Sequence, residues 1–182
     1  MTRYVAFLRG LNVGGHRVKM DQLLEYFEAL GFANVSTFIA SGNVIFESGE
    51  KKTAVLEEKI EKALETVLGY EVAAFVRTDA QVAKIAERDA FATQKPKEGD
   101  TTHVNFLRHA PDAATRKRIL ALSNDEDVLH LHRSELYWLR CGRMLDSTIT
   151  DKEFRQAFGK GPNTVRNLNT VRRLAAILLR SP

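Results

Sequence analysis

A chain of 182 residues, 44% hydrophobic and 27% charged, has the balance of an ordinary globular protein and is long enough to bury a core without help from disulfides or metals. Its one cysteine, Cys141, excludes an intrachain disulfide and fits a reducing compartment. No apolar run reaches the length of a membrane-spanning helix, and Met1 to Tyr4 lead into a strand pattern rather than a secretory signal, so a cytoplasmic protein with no membrane partner is expected. The net charge of +4 is uneven: residues 1–90 carry 11 Lys/Arg against 13 Asp/Glu, residues 91–182 carry 16 against 10. No acidic side chain follows Glu153, while Arg155, Lys160, Arg166, Arg172, Arg173 and Arg180 do, which points toward an anionic partner without naming nucleic acid.

Tyr4 to Arg9 alternates as a strand, with Val5 and Phe7 on one face and Ala6 and Leu8 on the other. Lys19 to Leu30 is predicted as a helix, with Leu23, Leu24, Phe27 and Leu30 on one side and Gly31 as its stop. Short strands follow at Val35 to Ile39 and Val44 to Phe46, joined through Ala40-Ser41-Gly42-Asn43 as a hairpin. Thr53 to Leu68 reads as a second amphipathic helix closed by Gly69, and Val72 to Val76 as another strand. The order strand, helix, strand, strand, helix, strand is the split βαβ arrangement of a ferredoxin-like unit.

The second half repeats this grammar less regularly. Asp79 to Phe91 is predicted as helix, and Lys95 to Asp100 has the composition of a solvated loop or subdomain junction. Thr102 to Leu107 is a strand, and Pro111 to Leu122 a basic-faced helix with proline in its first turn. Val128 to Leu131 and Glu135 to Arg140 form a hairpin around Arg133-Ser134, with Leu136 and Trp138 on one face. Thr150 to Phe158 and Thr164 to Leu179 are the final predicted helices. The fold class is therefore α+β, two ferredoxin-like α/β-sandwich subdomains in tandem. The first is placed at residues 1–78 and the second, with its extra C-terminal helices, at 79–182, the two packed closely as one unit.

Three stretches are distinctive: Phe7-Leu-Arg-Gly-Leu-Asn-Val-Gly-Gly15 with Val18-Lys-Met20, Ser41-Gly-Asn-Val-Ile-Phe46, and Thr164-Val-Arg-Asn-Leu-Asn-Thr170. Through them, and along nearly its whole length, the chain resembles the family known as domain of unknown function 1697 (DUF1697). The resemblance implies two α+β subdomains of ferredoxin-like character and marks the three stretches as candidate surfaces; a shared fold carries no function with it.

The segment Arg9-Gly-Leu-Asn-Val-Gly-Gly-His16 concentrates the functional signal. It matches neither a dinucleotide fingerprint nor a nucleotide phosphate loop, both of which need other spacings. Amides of a glycine-bearing turn and the amino end of the next helix can nonetheless form a concave anion site. On this reading Arg9 supplies a fixed fork of donors, Lys19 a mobile positive charge, and Asn12, Gly14, Gly15 and His16 the body of the site. The bland alternative is that Gly14 and Gly15 only permit a tight left-handed turn. His16 is the acid-base candidate, imidazole being the side chain that ordinarily titrates near neutrality.

Ser41 and Asn43 are secondary candidates. Asn43 can organise the hairpin turn through its own backbone, and no nucleophile-elbow pattern surrounds Ser41. At helical spacing Arg166, Asn169, Thr170, Arg173 and Arg180 share one arc of the last segment, opposite Val165, Leu168, Val171, Leu174, Ala175 and Leu178. Asn167 and Arg172 fall beside the apolar side, where a polar group needs a partner. They either hold the helix to nearby backbone or border a ligand cleft.

Other chemistries have less support. His130 and His132 face the same way with Asp127 nearby, but a zinc site lacks its third ligand unless His103 approaches, and no metal or cofactor is assigned. Cys141 has no neighbouring base. Tyr137 and Trp138, on opposite strand faces, raise the alternative of a single-stranded nucleic-acid module stacking bases on a sheet. A third reading is a scaffold that binds a protein partner through an exposed apolar patch. The favoured expectation is recognition of a phosphate-bearing or other anionic small molecule by Arg9, the loop amides and Arg166 or Arg173, by electrostatic positioning rather than covalent catalysis.

Overall fold

Six strands and helices between Thr2 and Thr78 alternate as the hydrophobic pattern dictates: β1 (Thr2–Arg9), α1 (Met20–Ala29), β2 (Ala33–Thr37), β3 (Asn43–Ser48), α2 (Thr53–Leu68) and β4 (Ala73–Thr78). The computed structural model describes every residue except Val13, Ala40, Ser41, Met144, Asp146, Lys160, Ser181 and Pro182. The strands form one antiparallel sheet in the order β2-β3-β1-β4. This is the ferredoxin-like order, in which each helical crossover carries the chain past one strand position, so that β2 lands two places from β1 and β4 two places from β3. Tyr4, Ala6 and Leu8 of β1 turn one face toward Leu23 and Phe27 of α1 and Leu56, Ile60 and Leu64 of α2, closing an apolar core. Gly69 ends α2 in the left-handed conformation, its N–H returning to Glu65 O at 2.8 Å, as a glycine stop should.

The second sheet repeats the topology. After α3 (Asp79–Glu87) come β5 (Thr101–Leu107), α4 (Ala113–Leu120), β6 (Asp127–His132), β7 (Glu135–Arg140), α5 (Asp151–Phe158), β8 (Asn163–Asn167) and α6 (Leu168–Arg180). Sheet order is β6-β7-β5-β8, again antiparallel throughout. Two four-stranded sheets, each flanked by helices, thus make tandem ferredoxin-like subdomains. The chain divides into two compact units: Met1–Ala83 together with the segment from Ile177 onward, and Lys84–Ala176.

Three expected elements differ. Residues 164–167 are strand rather than helix: Thr164 and Arg166 are buried and Val165 is exposed, a period of two, and the segment pairs with β5. Asn167 then caps α6, its Oδ1 accepting the Asn169 N–H at 2.8 Å. The helical arc that joined Arg166 to Asn169 and Arg173 therefore does not exist. In α4 the cap is Asp112, which accepts from the Thr115 N–H at 2.7 Å, so Pro111 precedes the helix instead of opening it. α3 stops at Glu87, short of Phe91.

An edge of the first sheet is closed by side chains. Glu61 and Glu57 of α2 accept the backbone N–H groups of Ala74 and Val76 on β4, each at 2.8 Å, and Gln81 accepts that of Thr78 at 2.9 Å. Four helical residues advance about 6 Å and two strand residues about 6.6 Å, so carboxylates four apart on α2 match amides two apart on β4. An edge strand whose outward donors are occupied cannot easily recruit another strand.

Candidate functional site

In the first unit, the turn between β1 and α1 closes on itself through Asn12, whose Oδ1 accepts the Val18 N–H at 2.9 Å. Gly14 and Gly15 stand at φ +61° and +86°, a left-handed pair that side chains with a Cβ resist. Tyr70, directly after the Gly69 stop of α2, reaches this turn: its hydroxyl donates to Leu11 O at 2.7 Å, and its ring stacks on His16 with centroids 4.5 Å apart. Burial, then the neighbouring Tyr26, raises the pKa of the Tyr70 phenol, which keeps it a donor.

Beside this turn lies an open depression of about 810 Å³ lined by Asn12, Gly15, His16, Arg17, Val18, Lys19, Met20 and Asp21. It sits at the amino end of α1. Gln22 folds back to accept the Lys19 N–H at 3.3 Å, leaving the Arg17 and Lys19 side chains exposed. Asp21, in the first helical turn, offsets part of their charge.

Of the residues singled out from sequence, Asn12, Gly15, His16 and Lys19 thus come together, and Gly14 lies in the same turn. Arg9 does not line the depression; it follows Leu8, which points into the helix-side core, so strand alternation sends Arg9 to the other face. Arg17 and Tyr70 were missed. Arg17 is a cation between two residues already chosen, but nothing local connects Tyr70 with the loop.

Asn43 is fully buried and organises the β2–β3 turn. Its Nδ2 donates to Phe38 O at 3.0 Å, while its own carbonyl accepts the Phe38 N–H at 2.9 Å. Gly42 has φ +71°, and a Cβ there would meet that of Leu8 at 3.2 Å, so glycine is required by both conformation and space. Ser41 lies outside the described residues.

Arg166, Asn167 and Arg173 belong to the second unit. Arg166 stands opposite Val104 in the β8–β5 ladder and is 9% exposed. Its Nη1 donates to Thr164 Oγ1 at 2.8 Å and Val165 O at 2.9 Å, and burial lowers its pKa to about 10. Asn167 is the α6 cap, and Arg173 is exposed on that helix. Arg172, the residue expected to need a partner, donates to Ala86 O at 3.4 Å and Asn169 Oδ1 at 3.3 Å, tying α6 to the end of α3.

The metal and stacking candidates acquire other roles. Asp127 accepts from Trp138 Nε1 (2.8 Å), Ser147 Oγ (2.9 Å), and the Thr148 N–H (3.0 Å) and Oγ1 (2.9 Å). Burial pushes its pKa up, but these donors outweigh burial and leave it below the ordinary value. Arg88 Nη2 lies 2.9 Å from His132 Nε2; a guanidinium only donates, so that nitrogen is the acceptor and its lone pair is occupied. Burial, then Arg88, lowers the pKa of both His130 and His132. Among the described residues no three His, Cys, Asp or Glu side chains gather into a metal-binding group. The half-buried Cys141 thiol donates to Asp125 O at 3.6 Å.

Tyr137 is fully buried and Trp138 8% exposed. The Tyr137 hydroxyl donates to Ile85 O at 3.3 Å, and Trp138 stacks on Phe154 at 5.4 Å. Neither ring offers a stacking platform for bases or an exposed apolar patch for a protein partner. No described helix is long and apolar enough to cross a membrane.

A ferredoxin-like repeat whose glycine turn abuts a charged depression defines a fold and a candidate surface. The chain belongs to the family described as protein of unknown function (DUF1697), whose model matches residues 1–137. Its fold is similar to that of conserved bacterial protein SP0830 from Streptococcus pneumoniae, with 21% identity, a TM-score of 0.69 and 99% of each chain covered. No curated protein matches it.

Proposed function

We propose that the depression beside the β1–α1 turn binds a phosphate-bearing or otherwise anionic small molecule. One observation carries the reading: Arg17, Lys19 and His16 surround an open concavity at the amino end of α1, against the single carboxylate of Asp21. The turn is already held by the Asn12 bond and the Tyr70 contacts, so little ordering accompanies binding. The helix terminus contributes N–H groups and a positive dipole end, and the two exposed cations contribute charge that salt screens. Arg9, Arg166 and Arg173 are not needed for it. Binding and electrostatic positioning are the chemistry supported.

The test is an amide chemical-shift titration with inorganic phosphate and with adenosine monophosphate. Saturable shifts are expected at Gly15, Arg17, Lys19 and Met20, weaker in high salt and at least tenfold weaker in Arg17→Ala/Lys19→Ala. Shifts that fail to saturate, or that persist unchanged in the double variant, overturn the reading.

A further inference from the structure

The two repeats share their strand registers, so positions in one can be matched to positions in the other. Ala6 on β1 stands opposite Val44 on β3 and Val76 on β4; Asn105 on β5 stands opposite Leu136 on β7 and Val165 on β8. Two residues earlier, Tyr4 stands opposite Phe46 and Thr78, and His103 opposite Trp138 and Asn167. Residues directly opposite share a sheet face. In the second unit that face is the one whose Leu107, Leu136 and Trp138 pack with Ile119 of α4 and Ala157 of α5. Where the first repeat has an alanine and a tyrosine in its core row, the second has therefore placed an asparagine and a histidine.

Asn105 is 1% exposed, and neither its Nδ2 nor its Oδ1 has a hydrogen-bond partner among the described residues. The buried Nδ1 of His103, on the same face, has none either. Burial lowers the pKa of His103, which favours the neutral ring. Buried polar groups are almost always satisfied by protein or by an ordered guest, because leaving them bare forfeits the hydration they had when unfolded. A leucine in that row, between Leu136 and Val165, would avoid the cost altogether.

On its β8 side the row is less fully covered. The first unit's core draws on Ala74 and Val76 of β4, whereas among the described residues the matching cluster of the second contains none from β8. Val165, the β8 neighbour of Asn105, is 38% exposed.

We propose that Asn105 and His103 form an internal binding site, reached from the β8 edge, for a small uncharged molecule that both donates and accepts hydrogen bonds: a water or a carboxamide. The amide supplies a donor and an acceptor, the ring nitrogen one or the other, and the cross-strand neighbours Leu136, Val165, Trp138 and Asn167 bring no formal charge. The site lies wholly within the second unit and is independent of the depression beside α1.

An atomic-resolution crystal structure, with and without an acetamide soak, tests this. A peak within hydrogen-bond distance of both the Asn105 amide and His103 Nδ1 is expected. Replacement by acetamide identifies a ligand pocket and an unchanged peak a resident water, and either supports the site. The absence of any such peak, or an Asn105 amide bonded directly to protein groups, overturns it. In solution, Asn105→Leu should move the His103 ring ¹⁵N resonances by removing the occupant's anchor, while His103→Phe, if Asn105→Leu does not fold, should move the Asn105 side-chain amide resonances. Unchanged resonances in whichever variant folds also overturn it.

Discussion

Asn12 Oδ1 holds the Val18 backbone N–H at 2.9 Å, making one side chain the clasp of the turn that contains the left-handed Gly14 and Gly15. The same turn carries His16 against Tyr70, so the clasp and the stack are expected to fail together. Asn12→Ala should cost about 1 kcal/mol, the net worth of a partly exposed hydrogen bond. It should also speed amide exchange at Val18 and shift the His16 ring resonances. Urea denaturation and hydrogen exchange measure the two effects, and an unchanged exchange rate at Val18 would remove the clasp from the account.

Glu57 and Glu61 occupy adjacent turns of α2 and serve the same strand edge, but their surroundings separate their energetic roles. Glu57 is 3% exposed and lies 4.0 Å from the buried Arg77, whereas Glu61 is only half-buried. Removing one partner of a buried pair strands the other, so Glu57→Ala should destabilise by about 3 kcal/mol. Glu61→Ala should cost about 1 kcal/mol. Glu57→Gln, which can still accept from Val76, should fall between them. Chemical denaturation of the three variants checks this ordering, and equal losses at the two alanine positions would contradict it.

Asp127 ties β6 to β7 and to Ser147 and Thr148, and it does so as a carboxylate. Its folded pKa lies below the ordinary 3.8. The unfolded chain therefore takes up the proton first, and the stability contributed by the ionised group is complete above 3.8 and lost as pH falls through that value toward the lower folded one. Asp127→Asn turns an amide donor toward groups that already donate, at a cost of about 2 kcal/mol at pH 7. Denaturation midpoints measured against pH should show the difference between wild type and variant narrowing below 3.8. A difference constant down to pH 2 would mean that the charge contributes nothing.

Much of the fold was legible because its signals are local. Thr53 to Leu68 shows its helical stripe and its Gly69 stop in sequence, and the structure places α2 between the same residues. Arg133-Ser134 likewise marks the hairpin of β6 and β7, where His132 faces Glu135. The segment 164–167 misled because four residues cannot establish a period, and an apolar-rich helix follows without a break. Its β-branched Thr164 and Val165 carried a strand signal, but pairing with β5 decided the matter.

The sequence by itself determined the order of elements in the first repeat, the tandem α+β character and the presence of an unusual glycine turn between β1 and α1, since hydrophobic periodicity and turn chemistry act over a few neighbouring residues. Only the tertiary structure decided that Tyr70 braces that turn, that Arg17 lines it while Arg9 does not, and that Arg166, Tyr137 and Trp138 are buried. Those outcomes depend on which strand faces are covered and which backbone groups meet across long stretches of chain. Sheet registers and burial set both, and so an asparagine that looks unremarkable at position 105 can prove to be a buried amide without a protein partner among the described residues.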